Sequence, residues 1–221
     1  TKVTDGLSRV TTNTFNELNQ LTKTTLPDPD GAGAQASPEI EYQYDANGNL
    51  TKLTDPLDKD IDRTYDARNR LTKITYSSFT SAPYIEYTYD AAGQMTKERD
   101  LAGNETTFAY NNLGRMITMT LPDPDGAGSQ TSPVYEYTYD VPGNLTEIED
   151  PLDNTTTHEY NIRNHKIKET YADPDGAGSL TSPVFEFTVN DLGEVTTFED
   201  ALDNDTVYTY DDVGRVIKVK Y

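Results

Sequence analysis

Tyr44-Asp45-Ala46-Asn47-Gly48-Asn49-Leu50-Thr51 is the stretch whose reading decides the fold. An aspartate at the first turn position accepts a backbone N–H two residues on, which favours a type I turn. Gly48, three residues after Asp45, tolerates a left-handed backbone without a β-carbon penalty. A type I turn closed by a left-handed residue makes a hairpin with a bulge. Before the turn, Ile40, Tyr42 and Tyr44 alternate with Glu39, Glu41 and Gln43. That period of two marks a half-buried antiparallel strand.

The same signal recurs along the chain. An aromatic residue followed by Asp or Asn stands at Phe15-Asn16, Tyr65-Asp66, Tyr89-Asp90, Tyr110-Asn111, Tyr139-Asp140, Tyr160-Asn161 and Tyr210-Asp211, with Val189-Asn190 the single departure from the aromatic rule. Three residues after each Asp or Asn comes Asn19, Gly48, Asn69, Gly93, Gly114, Gly143, Asn164, Gly193 or Gly214. All nine are residues that enter the left-handed region at low cost. Thr51–Tyr76 aligns with Thr1–Leu26 at an offset of 50 residues, so two such units make one larger repeat. The expected organisation is one repeat array over residues 1–221. Its copies run at about 1–50, 51–95, 96–145 and 146–195, with a partial copy at 196–221. Because Thr1 falls inside a repeat, the chain reads as a segment of a larger protein.

A second turn series lies between these, at Asp5-Gly6-Leu7-Ser8, Asp55-Pro56-Leu57-Asp58, Asp100-Leu101-Ala102-Gly103, Asp150-Pro151-Leu152-Asp153 and Asp200-Ala201-Leu202-Asp203. Asp first and Pro second again favour a type I turn. The intervening segments match the usual strand length of ~5–6 residues. The expectation is all-β: about 19 short strands in tandem antiparallel hairpins that form a spiralling, solenoid-like or shell-like sheet, with no significant helix. Stacked copies are expected to place equivalent Tyr rings near one another, with aromatic and β-branched cross-strand pairs carrying much of the stability at ~0.2–1 kcal/mol each.

Composition agrees with a thin sheet. Only 34% of the 221 residues are hydrophobic and Trp is absent, yet there are 16 Tyr, a strand former. With 18 basic and 38 acidic residues the net charge is −20, which repels phosphate backbones and anionic lipid. Nucleic acid and membrane insertion are therefore not expected partners. There is no Cys, so neither disulfides nor thiolate chemistry enter.

Tyr44–Thr51 and Tyr-Asp-Val-Pro-Gly-Asn-Leu-Thr at Tyr139–Thr146 resemble the tyrosine-aspartate (YD, or Rhs) repeat, and the similarity extends over essentially the whole chain. The family includes bacterial Rhs and wall-associated proteins, the C components of insecticidal toxin complexes, and animal teneurins. The resemblance implies hairpins spiralling into a hollow shell, a secreted or cell-surface location, and a scaffold role.

Several motifs invite chemistry. Asp-Pro-Asp-Gly-Ala-Gly occurs at 28–33, 123–128 and 173–178. Its pairs Asp28/Asp30, Asp123/Asp125 and Asp173/Asp175 offer hard oxygens to calcium. Ca²⁺ takes ~6–8 oxygens, however, and no bidentate Glu follows at EF-hand distance. The motif also resembles locally the Asp-Pro-x-Gly self-cleavage site of Rhs toxins. Its recurrence inside the repeats instead favours a hydrophilic loop bent by Pro and Gly. His158 and His165 are expected at the surface, and Glu147 and Glu149 on a solvated face. Asn49, Asn104, Asn144, Asn154 and Asn204 head glycosylation sequons.

The expected function is a non-enzymatic extracellular scaffold, part of a shell or stalk, with no cofactor or metal. Its expected partners are flanking domains or an encapsulated polypeptide of the same protein. The alternatives are a fibre subunit self-associating through sheet edges, and a carbohydrate-binding module using the Tyr face.

Overall fold

The computed structural model describes residues 1–31, 33, 35–126, 128–176, 178 and 180–221. All 19 strands belong to one sheet, which is unclosed, and no helix occurs among the described residues. The expected strand number and class are therefore found. The chain divides into two compact units, Thr1–Thr107 and Phe108–Tyr221.

The first unit holds β1 (Lys2–Thr4), β2 (Val10–Phe15), β3 (Leu21–Thr25), β4 (Glu39–Tyr44), β5 (Leu50–Thr54), β6 (Asp60–Tyr65), β7 (Leu71–Thr75), β8 (Tyr84–Tyr89), β9 (Met95–Arg99) and the start of β10 (Glu105–Tyr110). Each pairs antiparallel with the next in sequence, as the short turns dictate. The second unit continues with β11 (Met116–Thr120), β12 (Val134–Tyr139), β13 (Leu145–Glu149), β14 (Thr155–Tyr160), β15 (Lys166–Thr170), β16 (Val184–Val189), β17 (Val195–Glu199), β18 (Asp205–Tyr210) and β19 (Val216–Lys220). From β11 onward the pairing is again strictly sequential.

Alternation sorts side chains onto two faces. One is apolar: Tyr42 stands opposite Leu53, and Leu53 opposite Ile61. In the second unit Tyr137 faces Ile148, and Phe187 faces Phe198. The other face is polar and stitched by cross-strand ion pairs such as Lys52–Asp60 at 2.7 Å and Lys168–Glu186 at 3.1 Å. Among the described residues no side chain is fully buried. The apolar face half-buries its rings and branched chains among the described residues, and goes no further.

Cross-strand pairs of aromatic with aliphatic side chains occur, as at Tyr42–Leu53 and Tyr137–Ile148, but among the described residues equivalent Tyr rings do not pair with one another. The ring pairs among the described residues are Tyr171–Phe185, Phe185–Phe198 and Phe187–Phe198. The repeat tyrosines end alternate strands, so neighbours lie two strands, ~10 Å, apart. That exceeds the ~4.5–7 Å reach of ring pairs.

Candidate functional site

Tyr44, Tyr65, Tyr89, Tyr110, Tyr139, Tyr160 and Tyr210 each end a strand, and the Asp or Asn that follows opens the turn. At Asp45 the backbone N–H donates to Asn49 O (3.0 Å) and the Gly48 N–H returns to Asp45 O (3.1 Å). Asp45 Oδ1 also accepts the N–H groups of Asn47 and Asn49. The same backbone pair closes the turns at Asp66, Asp90, Asn111, Asp140, Asn161, Asn190 and Asp211. The residue three further on is left-handed each time: φ is +61° at Asn69, +103° at Gly93, +79° at Gly114, +113° at Gly143, +64° at Asn164, +86° at Gly193 and +79° at Gly214. The register slips by one residue beside the turns at Asn16, Asp45, Asp66, Asp90, Asp140, Asn161, Asn190 and Asp211, as between Gln43 and Tyr44. That slip is the mark of a bulge. Hydrogen bonds hold these acids ionised: the Asn49 side-chain amide, then its backbone N–H, keep the Asp45 carboxyl below its ordinary range. Asn104 does the same for Asp100, and Asn154 for Asp150.

The tyrosine does a different job from its aspartate. Its hydroxyl donates to the carbonyl five residues past the Asp or Asn of the preceding turn: Tyr44 to Leu21, Tyr65 to Leu50, Tyr89 to Leu71, Tyr139 to Met116, Tyr160 to Leu145 and Tyr210 to Val195. These bonds measure 2.7–2.9 Å and clasp each hairpin to the one before it. The residue four past the Asp adds a second link. Arg70 holds Asp66 while its guanidinium lies 4.4 Å from the Tyr89 ring centroid. Arg115 donates to Asp140 O in the next turn, and Asn144 donates to Asn164 Oδ1. Sequence reading missed these clasps, because the pairing of a Tyr with a carbonyl one turn back leaves no side-chain motif.

The second turn series has the same geometry, with Asp5 N to Arg9 O and Ser8 N to Asp5 O. Its left-handed residues are Ser8, Asp58, Gly103, Asp153 and Asp203, at φ from +57° to +93°. Asp and Ser at that position concealed the likeness from sequence. In the long loops, Asp28, Asp123 and Asp173 each accept the N–H of the second Asp. Asp30, Asp125 and Asp175 fold back to accept N–H groups further on, those of Gln35, Gln130 and Leu180. A β-carbon at Gly33 would come 1.9 Å from the Asp30 carboxylate, which is why the motif's last glycine stands there. Ala32, Ala127 and Ala177 of the motif lie outside the described residues. No group of three or more His, Asp or Glu able to hold a metal occurs among the described residues. The sequon amides are also engaged, Asn49, Asn104, Asn144, Asn154 and Asn204 each donating to the Asp of its own turn.

One expectation fails. His158 is not at the surface: its side chain is only 10% exposed and its Nε2 lies 3.5 Å from Glu169 Oε1. Alternation along β14 puts His158 on the apolar face with Tyr160, beneath Glu169 of β15. His165 is half-buried against Gly193. Burial pushes the Glu169 carboxyl up, but bonds from Lys166 and Tyr171 outweigh it and leave it below the ordinary range. Glu147 and Glu149 sit on the half-buried polar face of β13, with Glu149 opposite Glu136.

Residues 44–78 and 89–127 match the family model for the RHS Repeat. No curated protein matches the chain. Among solved structures, TcdB2-TccC3 without its hypervariable C-terminal region superposes with a TM-score of 0.67 at 17% identity, over 95% of this chain and 12% of that one. TcdB2-TccC3-Cdc42 gives 0.65 at 17%, over 92% and 12%. The Photorhabdus luminescens Tc holotoxin pore gives 0.51 at 15%, over 99% and 14%. The likeness is one of fold, and this chain spans 12–14% of the length of those chains.

Proposed function

On the premise that the chain is built of RHS repeats, we propose that it is a length of shell wall in a larger extracellular protein. In this reading it acts as a scaffold rather than a catalyst, and its apolar face covers a polypeptide belonging to the same protein. The observation that carries the reading is the half-exposed apolar face of a sheet without an interior. Tyr42, Leu53, Ile61, Tyr137, Ile148 and Phe198 are all half-buried there. The fold shared with toxin-complex structures supports the same reading. So does the use of the turn carboxylates as backbone acceptors, which leaves them poor candidates for acid–base work.

The test is photo-crosslinking in the intact natural protein. A photoreactive residue in place of Leu53 or Tyr137 should capture a segment of the same protein. One in place of Thr138, on the polar face, should not. Equal capture from both faces, or none from either, contradicts the proposal.

A further inference from the structure

Arg63 stands on the apolar face with no acid to meet it. Alternation along β6 puts Ile61, Arg63 and Tyr65 on one side of the strand. There Ile61 pairs with Leu53 of β5, and Arg63 with Ile74 of β7. Neither β5 nor β7 contains an acid. The acids of β6 itself, Asp60 and Asp62, occupy the polar face, where Lys52 holds both. Glu98 shares the face with Arg63, opposite Tyr87, but lies three strands on, ~14 Å away. The Arg63 Nη1 is shut off from water and has no hydrogen-bond partner among the described residues. The chain's other arginines are each bonded to a carboxylate or a carbonyl, as Arg70 is to Asp66 and Arg115 to the Asp140 carbonyl. Other copies fill the Arg63 position in ways that call for no outside partner. Phe108 and Tyr208 are rings, Asn13 accepts a bond from the Thr24 hydroxyl, and His158 has Glu169 directly opposite. Arg63 alone brings a charge whose counter-ion is missing from the adjoining strands.

We propose that Arg63 is the docking point for a carboxylate on an otherwise apolar polypeptide segment lying on this face. The inference rests on the reading of the face as the covered side of a shell wall, and adds the chemistry of the cover. A guanidinium stays charged in proteins, so a cover made only of apolar side chains would bury an unpaired cation. An Asp or Glu side chain accepts two parallel N–H bonds from the guanidinium fork and removes that penalty. The side chains in register around it, Leu53, Ile61, Ile74 and Ile85, are aliphatic, which favours apolar residues on either side of the acid. Charge selects a carboxylate over a phosphate group, because a chain of net charge −20 repels a dianion more than a monoanion. The polar face offers the acid no comparable place, since its Lys52 and Lys168 are already held by acids across the strands.

Photo-crosslinking in the intact natural protein tests this, with a photoreactive residue in place of Ile74 and the captured peptide sequenced by mass spectrometry. The attachment point should lie within about two residues, ~7 Å of extended chain, of an Asp or Glu in a segment of the same protein. Arg63→Glu should lower the capture about tenfold or more, and changing the captured acid to Arg in that background should restore it. If Arg63→Glu misfolds, the loss of capture is read from Arg63→Asn, because Asn13 already fills this repeat position. Capture with no acid near the attachment point, or a yield unmoved by the Arg63 variants, overturns the inference and leaves the shell reading standing. So does capture from Leu53 without capture from position 74. Capture of a second copy of the array overturns it as well. No capture from either position removes the shell reading, and this inference with it.

Discussion

The stretch β12–β14 and the stretch β15–β17 are made of the same hairpins, and they are held in different ways. In the first, Tyr139 clasps Met116 O and Tyr160 clasps Leu145 O, so each hairpin is tied to its predecessor by a hydroxyl. In the second, Val189 stands where the tyrosine would be, and Lys166 fills the position that elsewhere carries Leu, Met or Val. No hydroxyl is available there for the Lys166 carbonyl. Instead Phe198 lies 6.0 Å from Phe185 and 5.4 Å from Phe187, and Tyr171 meets Phe185 edge-on at 5.7 Å. The lesson is that a sheet without an interior needs one inter-hairpin tie per repeat. A directional hydrogen bond or a ring cluster can supply it.

Removing the cluster should have the largest effect. Phe198→Ala takes away the ring common to two contacts. Since Phe198 is half-buried, the cost should be about 3 kcal/mol, the low end for aromatic truncation, read from the urea midpoint. Tyr160→Phe deletes one hydroxyl and leaves Leu145 O unpaired, for a loss of about 1 kcal/mol. The same change has no counterpart at Val189, where the reverse substitution sharpens the comparison. Val189→Tyr offers a hydroxyl to Lys166 O and should raise stability by up to about 1 kcal/mol. A neutral or destabilising result would show that the ring cluster has replaced the clasp rather than merely accompanied it.

The smallest effect should be shared by both stretches, because both use Asp turns. Asp150 and Asp200 are held below the ordinary aspartate range, Asp150 chiefly by the Asn154 side-chain amide and Asp200 by the Asn204 backbone N–H. A depressed folded-state value stabilises above the unfolded value of about 3.9. That stabilisation is lost as pH falls through the lower, folded value. The melting temperature should therefore fall below about pH 4. Asn154→Ala should raise the folded-state value of Asp150 toward the unfolded one, so the variant should be less stable than the parent above about pH 4 and lose less on acidification. Solvent screens these exposed turns, so the change per turn is small.

The hairpins were legible in the sequence because left-handed turn positions admit few residue types, and Gly or Asn three residues after Asp announces them. The second turn series was only half legible. Asp58, Asp153 and Asp203 take the left-handed position, and aspartate has too many other uses to signal it. The clasps were not legible at all. Their acceptor is a backbone carbonyl, which every residue carries, and only register brings Tyr65 to Leu50 rather than to a neighbour. His158 was misplaced for a related reason. Its near neighbour His165 sits in a turn, and only the alternation of β14 separates the two environments.

The account rests on the clasp, and urea unfolding of the triple variant Tyr65→Phe, Tyr139→Phe, Tyr160→Phe tests it most directly. Each substitution keeps the ring and removes only the hydroxyl, at sites far enough apart to act independently. The account predicts a native spectrum and a loss of about 3 kcal/mol, near 1 per clasp. A midpoint equal to that of the parent chain would contradict it.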